Sequence, residues 1–463
     1  MLNHEGWSLL GILLLLLIQL LLALPLMHKE QTMEKRLNVQ DESLFAVAGV
    51  CLRCAGVGLL AVLPGAVYAG GAARLGLAVM PAAGLGTALL LIVPRLKRSH
   101  PQALTLCEAA VQDPWARAGF AAVGAVAAVA AAAGAMSMIA RVFAYVFSLH
   151  DKIALAASVL LCFVLVLLCT TAAREKMDRL QGILLAVMVI GTPVAALTVV
   201  GAEENMLAVL REALFYHGTG LALGRDIASD VLTGLCAIGL MLPMQRLFAV
   251  KSEQTANRGG KIAVCAMAVL AVSAAASGLV GKMAGFVLNG KAAQETVVMQ
   301  LTELPALPET VSAVLTSSLV LALMLFVQDA LRFAGAAVAW DIVQPLGKFT
   351  AEKPLRIWMD GVSLTVCAAL YAVAGSINVP LENYLHIALL CGAVTGTMLL
   401  MRALGVQAKP LGQRICVSAG AASAAAVLLF VPEEWKMIGA AAVFAAAVIP
   451  LLICKEKAKK GDN

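Results

Sequence analysis

The sequence predicts an all-α membrane protein with thirteen transmembrane helices. Apolar residues make up 61% of the 463 residues and charged residues only 13%, about half the roughly 25% that is usual in a soluble domain. Thirteen apolar stretches reach the ~20 residues that a helix needs to cross the hydrocarbon core. These stretches, numbered as spans one to thirteen, are residues 7–27, 45–67, 75–94, 118–140, 153–173, 181–201, 226–245, 262–281, 311–331, 357–378, 381–401, 415–432 and 437–454.

The distribution of positive charge predicts the orientation of these spans. With the N-terminus outside, the inner segments hold 25 of the 34 Lys and Arg residues; they are residues 28–42, 95–117, 174–179, 246–261, 332–356, 402–414 and 455–463. The outer segments hold Arg74, Arg141, Lys152, Arg211, Arg225, Lys282, Lys291 and Lys436. An excess of Lys and Arg marks the cytoplasmic side. We therefore expect a multi-pass protein of the plasma (inner) membrane, with its N-terminus outside and its C-terminus in the cytoplasm.

Short loops and missing motifs exclude several classes of function. The segments between spans leave no room for a soluble catalytic or nucleic-acid-binding domain. The chain has no phosphate-binding loop, nucleophile elbow or zinc motif, and His150, His217 and His386 lack metal-ligand spacing. We expect no enzyme activity, no metal site and no nucleic-acid partner. The expected partners are the lipid bilayer and a small-molecule solute, and the sequence does not specify the oligomeric state.

Interrupted helices repeat along the chain. Spans two to six and seven to eleven form two blocks of five with opposite orientation. Span two contains Gly56, Gly58 and Pro64, and span seven contains Gly234, Gly239 and Pro243. Helices broken by Gly or Pro at matching places in two inverted halves indicate a transporter with a binding site near the membrane midplane. The expected units are residues 1–42 with an extra helix and a linker, 43–201 and 202–405 as the two repeats, and 406–463 with two further helices and a basic tail.

Several segments resemble stretches of the solute:sodium symporter family in order and spacing. They are Leu63–Gly71, Pro94–Leu96 with Thr105–Glu108, Met177–Gln181, Pro243–Ser252 and Ala339–Leu346. The family has the LeuT-type fold of two inverted five-helix repeats. The resemblance implies a secondary active transporter that moves a small organic solute by alternating access. The alternative is a non-transporting solute sensor or partner subunit of the same fold.

The resemblance also indicates where a solute would bind. Positions of span two that supply polar contacts in the family are here Cys54, Val57, Gly58 and Leu59, next to Gly234 of span seven. Asp230, deeper in span seven than Asp226, could face an outer vestibule and meet a cationic or hydroxylated solute. The two aspartates could instead form a solvated helix start, which favours acidic residues; we expect this for Asp226. Such a pocket is poor in polar groups and does not name its solute.

The chain departs from the family at the second sodium site. In the family this site lies between the unwound part of span two and two Ser/Thr residues of span nine. The matching positions are Leu325 and Phe326, which offer no oxygen to a hard cation. Sodium is therefore the ion that the resemblance implies, but we expect its usual second site to be absent.

Arg53 lies beside that position, within span two. An arginine near the membrane centre costs roughly 2.5–3.5 kcal/mol on insertion scales, so we expect it to face protein and to be paired. Asp329, one turn inward of Leu325, is one candidate partner; alternatively Asp329 pairs with Arg332 on its own helix. Because arginine keeps its proton, Arg53 would act as a fixed charge.

A further ion or gate site is suggested by Asp178 and Gln181, which resemble the family's residues at the start of span six. Arg174, Lys176 and Arg179 flank this aspartate. The alternative is a carboxylate in a local salt-bridge cluster at the membrane surface.

Overall fold

The computed structural model describes residues 4–23, 32–37, 49, 56, 58–168, 171–200, 220–347, 349 and 351–455. This part of the chain is helical, and one isolated bridge joins Ala408 to Lys455. We label the long helices α1 His4–Ala23, α2 Gly58–Gly70, α3 Ala73–Ser99, α4 Pro114–Val146, α5 Asp151–Leu168, α6 Thr171–Val200, α7 Gly220–Ala237, α8 Met241–Phe248, α9 Glu253–Met283, α10 Glu309–Gly347, α11 Glu352–Ala374, α12 Leu381–Ala403, α13 Pro410–Phe430 and α14 Lys436–Ile453. Short helices lie at Met33–Leu37, Leu106–Ala110, Lys291–Gln294 and Val297–Thr302.

Ten helical segments within the described ranges are long and apolar enough to cross a membrane. They correspond to spans three, four and six to thirteen, with α7 and α8 together forming span seven. Helices α1, α2 and α5 lie at the other three predicted spans, and the inner half of span two, except Gly49 and Gly56, is outside the described residues. An all-helical membrane protein is thus confirmed, whereas the count of thirteen and the inverted-repeat layout remain predictions.

Three helices begin or end at other places than predicted. Helix α4 continues to Val146, so Arg141, which was counted with an outer segment, lies within the helix and is buried. Helix α6 begins at Thr171, so residues 174–179 are helical and not a loop. Helix α7 begins at Gly220, which places Asp226 beyond the first turn and makes the predicted helix-start role of Asp226 wrong.

The break predicted in span seven is present. Helix α7 ends at Ala237 and α8 begins at Met241, with Gly239 in the turn between them. The hydroxyl of Thr395 in α12 donates a hydrogen bond of 2.7 Å to the Gly239 carbonyl, which the broken helix leaves without a helical partner. In span two, the structure describes Gly56 and then a π-helical turn from Gly58 to Val62, and residue 57 between them lies outside the described residues.

Helices α4, α10 and α12 are the most buried, and α11, α13 and α14 lie nearer the surface. Small residues along α4 allow neighbouring helices to approach closely, which favours association in lipid. Helix α10 also holds the end of α5, because Gln328 and Arg332 donate hydrogen bonds of 3.4 and 3.1 Å to the carbonyls of Leu165 and Val166. These carbonyls belong to the last described turn of α5.

Candidate functional site

A charged vestibule of about 380 Å³ opens between α2, α3, α7, α12 and the turn before α14. Its basic lining residues are Arg74, Arg225 and Lys291, and its acidic lining residues are Asp226, Glu295, Glu382, Glu433 and Glu434. The three basic residues belong to segments that the charge distribution predicts to be outside. The vestibule therefore opens on the predicted outer side.

Two arginines form ion pairs across this vestibule. Arg74 Nη1 lies 3.3 Å from Asp226 Oδ1 and 3.7 Å from Asp230 Oδ1, which joins the start of α3 to α7. Arg225 lies 3.6 Å from Asp226 and also pairs with Glu434. The Asp230 side chain fits here because α3 has a glycine opposite it: a Cβ on Gly76 would lie 2.6 Å from Asp230 Oδ2.

A buried ion pair between Arg141 and Glu295 joins α4 to the segment between α9 and α10. Arg141 Nη1 lies 3.2 Å from Glu295 Oε2, and the guanidinium also donates to the carbonyls of Ala292, Ile377 and Val379. Glu295 accepts hydrogen bonds from the first two backbone N–H groups of α12, at 2.7 and 2.8 Å. Burial raises the pKa of Glu295, and these N–H groups and Arg141 oppose that rise.

An apolar chamber continues inward from the vestibule. The chamber has a volume of about 100 Å³. It shares five lining residues with the vestibule, namely Val62, Leu77, Thr233, Leu385 and Leu389. A neighbouring cavity of about 80 Å³ reaches Phe326 and shares Gly58, Leu240 and Leu385 with the chamber. Thr233 donates its hydroxyl proton to the Ser229 carbonyl, so the chamber wall is mostly apolar.

The predicted solute-binding residues fall into four groups. Gly58 and Leu59 line the chamber, whereas Cys54 and Val57 lie outside the described residues. Asp230 is 2% exposed and adjoins the vestibule through Arg74. Gly234 faces α3: a Cβ there would lie 2.6 Å from the Met80 carbonyl oxygen. The geometry gives Gly234 a role in helix packing.

Leu325 and Phe326 stand at the positions that the resemblance assigns to the second sodium site. Leu325 and Phe326 are 3% and 5% exposed. A Cβ on Gly56 would lie 2.9 Å from Phe326 Cζ, so the aromatic ring lies directly against span two. Asp329, one turn inward, is also buried. Arg53 lies outside the described residues, and so do the side chains of Asp178 and Gln181; the roles given to them stay predictions.

A second set of polar contacts lies at the end of the bundle that the charge distribution predicts to be inside. The buried Asp341 accepts hydrogen bonds from Thr105 Oγ1 at 2.7 Å and from Arg117 Nε at 2.8 Å. The Gln245 side chain accepts from Leu106 N at 2.7 Å and donates to the Leu104 carbonyl at 3.2 Å. Three of the segments that carry the resemblance, those around residues 105, 245 and 341, thus meet in one place. We call Thr105, Arg117, Gln245 and Asp341 the inner latch.

A bidentate ion pair lies beside the inner latch. Arg414 donates to both carboxylate oxygens of Asp113, at 2.8 and 2.7 Å, and joins α13 to the start of α4. These hydrogen bonds lower the pKa of Asp113. At Cys107, in the short helix between Thr105 and Arg117, burial and the nearby Asp341 raise the pKa of the thiol. The inner latch thus leaves Cys107 protonated and shielded.

We expect Asp341→Asn to loosen the inner latch. An amide cannot balance the Arg117 guanidinium, and removing one partner of a buried ion pair costs about 3–5 kcal/mol. The expected result is faster labelling of Cys107 by N-ethylmaleimide, measured by mass spectrometry of the labelled peptides. Asp360→Asn is the control, because its ion pair with Arg36 is half exposed. Equal Cys107 labelling rates in both variants would show that Asp341 does not hold the latch.

Several of these residues were not picked out from the sequence as site residues: Arg74, Arg141, Glu295 and Glu382. Arg141 carried a signal, because its neighbours Ala140, Val142 and Phe143 are apolar and a charge in such a run indicates burial with a partner. The roles of the other three residues depend on packing between spans that are distant in sequence, and the local sequence does not reveal this packing.

Solved structures share this architecture. A Na⁺-coupled sialic acid symporter in a substrate-bound, outward-open state has a TM-score of 0.78 and 13% identity, over 98% of this chain and 99% of that chain. Mhp1, a nucleobase-cation-symport-1 family transporter, has a TM-score of 0.54 and 14% identity, over 88% and 91% of the two chains. A manganese transporter of Eremococcus coleocola has a TM-score of 0.52 and 14% identity, over 89% and 93%.

No protein-family model matches the chain, and no curated protein sequence is significantly similar to it. At 13–14% identity, the similarity to the solved structures concerns the fold. All three structures are membrane transporters with the LeuT-type fold, and none is an enzyme. The chain therefore has the LeuT-type fold of membrane transporters.

Proposed function

We propose that this protein is a secondary transporter that moves a small organic solute across the plasma membrane by alternating access. The observation that carries the proposal is a vestibule adjoined by an apolar chamber, with five lining residues in common, beside the break in span seven. The inner latch closes the opposite side. A path open to one side and closed to the other is what alternating access requires of each end state.

The chamber supports a solute with a small apolar body. Its walls, which include Leu59, Ala237 and Met267, offer few hydrogen-bonding groups. A solute without polar groups would cross the bilayer unaided, so the solute of a transporter also carries a polar end. In this proposal Gly58 and Leu59 contact the body, together with Cys54 and Val57 of the same span.

We also propose that the usual second sodium site is absent. Leu325 and Phe326 lack oxygen ligands, and the Phe326 ring lies against Gly56, where an ion would otherwise sit. If Arg53 lies beside this position, a sodium ion would in addition meet a like charge, at a cost of several kcal/mol for charges a few ångströms apart. Flux would then be facilitated or driven by protons through another group.

Uptake into proteoliposomes tests both proposals. Purified full-length protein is reconstituted and offered a mixed panel of neutral, cationic and anionic organic solutes, and mass spectrometry identifies those that enter. We expect saturable uptake of at least one solute, and no increase when an inward sodium gradient is applied at fixed voltage and pH. Uptake that rises with the sodium gradient would contradict the missing site, unless a different sodium site were located.

Gly58→Leu tests the path itself. A Cβ on Gly58 would lie 3.5 Å from Leu385, so a leucine side chain fills the chamber entrance and should abolish uptake. Gly224→Leu is the matched control, because Gly224 faces open space on α7. Unchanged uptake in Gly58→Leu would place the path elsewhere. Solute binding without any flux in the unmodified protein would instead favour a solute sensor.

A further inference from the structure

The vestibule has three buried polar atoms without a hydrogen-bond partner among the described residues. They are Asp230 Oδ1, His386 Nδ1 and Glu433 Oε1. Asp230 and His386 are 2% and 5% exposed, whereas buried polar atoms are normally hydrogen-bonded. His386 and Glu433 line the vestibule, and Asp230 adjoins it between the lining residues Asp226 and Thr233. Unsatisfied groups around a cavity indicate what the cavity can bind.

All three atoms can accept a hydrogen bond. A carboxylate oxygen only accepts. His386 Nε2 lies 3.5 Å from Glu382 Oε1; in the neutral tautomer that carries the proton on this nitrogen, Nδ1 is an acceptor. The vestibule's cationic donors already have partners: Arg74 pairs with Asp226, Arg225 with Glu434, and Lys291 with Glu382 at 2.6 Å. Among the buried polar atoms of the vestibule, the unused hydrogen-bonding capacity is therefore acceptor capacity.

The balance of charges around the vestibule also favours the binding of a hydrogen-bond donor with positive charge. Five acidic and three basic residues line the vestibule, and Asp230 adds another carboxylate, whose nearest cation lies at 3.7 Å. Excess negative charge around a cleft attracts cations and raises their local concentration. The apolar chamber begins directly below, at residues shared with the vestibule.

We infer that the solute of the proposed transporter is a small organic cation, with an N–H-bearing ammonium or amidinium head in the vestibule and an apolar body in the chamber. The head donates hydrogen bonds to Asp230, His386 and Glu433, while the body lies against Leu385 and Leu389. This inference rests on the proposed function, but it concerns binding and can be tested without flux.

Three probes with one carbon skeleton separate charge from shape: isopentylammonium, isovalerate and isopentanol. Binding to the full-length protein is measured as the rise in melting temperature with probe concentration. We expect isopentylammonium to reach half-saturation at a concentration at least about tenfold below that of the other two, since each charge-assisted hydrogen bond contributes tenfold or more. Equal or tighter binding of isovalerate or isopentanol would overturn the inference.

Two neighbouring glutamates provide a matched pair of variants. Glu433→Gln removes the negative charge and replaces one carboxylate oxygen by an NH2 donor, and it should weaken isopentylammonium binding about tenfold. Glu434→Gln removes the same charge from the same turn, but Glu434 already pairs with Arg225 and is mostly exposed, so binding should stay within about twofold. Asp230→Asn provides a second test within α7. Equal losses in both glutamate variants would show non-specific attraction and overturn the site.

The result of the binding assay can be distinguished from the result of the transport assay. Cation-selective binding without uptake of any solute would contradict transport and leave the binding site standing. Uptake of anionic or neutral solutes, with no preference for isopentylammonium in the binding assay, would support transport and overturn the inference.

Discussion

Gly239→Ala is expected to leave almost no folded protein. A Cβ on Gly239 would lie 1.8 Å from the Gly392 carbonyl oxygen and 2.3 Å from the Gly396 nitrogen. Both are backbone atoms of α12, which cannot rotate away as a side chain can. Overpacking a core costs about 1–3 kcal/mol even where side chains can adjust, and we expect at least the upper end here. The methyl group would also push Thr395 away from the carbonyl that it caps.

Size-exclusion chromatography of the solubilised protein and its thermal melt measure this effect. We expect a much smaller monodisperse peak and a melting transition that is lowered or lost. Gly224→Ala in α7 is the control, because nothing lies within 4 Å of its added methyl group and alanine is the better helix former by about 1 kcal/mol. A normal melt for Gly239→Ala would mean that α12 and the break in span seven are further apart than described.

Arg141→Ala is expected to destabilise the protein by about 3–5 kcal/mol, because it leaves Glu295 as a buried charge without its cation. The change also removes the donors that the carbonyls of Ile377 and Val379 use. Lys291→Ala is the control on the same side: Lys291 also pairs with a glutamate, but its side chain is 48% exposed, and such pairs contribute little. The thermal melts of the two variants give the comparison.

The loss in Arg141→Ala should depend on pH. Burial holds the pKa of Glu295 above its ordinary value, so this carboxyl makes folding more favourable as pH falls through its folded-state pKa. Without Arg141 that pKa rises further, and the melting deficit should shrink between about pH 8 and about pH 5. Arg141→Met combined with Glu295→Gln should recover much of the loss. A deficit that is constant with pH would show that the lost carbonyl contacts matter more than the buried charge.

The helices themselves were predictable from the sequence, because bilayer thickness converts directly into the length of an apolar run. The break in span seven was predictable as well, because Gly239 and Pro243 interrupt such a run. Helix ends were less predictable: α4 continues through Arg141 because its charge is neutralised by Glu295, a residue more than a hundred positions away. A hydropathy pattern shows that such a charge is unfavourable in an apolar run, but it does not show which residue neutralises the charge.

The candidate site was harder to predict than the fold. Gly58 and Gly234 look alike in the sequence, yet Gly58 lines the chamber and Gly234 lies against the backbone of α3. Glycine allows either a cavity or a close approach, and only the neighbouring helix decides between them. The ion pairs of Arg74 and Lys291 likewise depend on helices that are distant in sequence. Three of the five segments that carry the resemblance meet at the inner latch, because their spacing reflects contacts between segments.

The ring of Phe326 against Gly56 has a consequence for how the protein responds to its surroundings. A bound ion favours one of two conformations by an amount that depends on its concentration, because it binds one of them more tightly. A side chain is always present, so its contribution to that balance is the same in fresh water, in brine or at any membrane potential. In the transporter proposed above, which lacks the second sodium site, the amino-acid sequence alone sets this contribution to the preference between outward and inward states, and the salt concentration outside the cell does not change it.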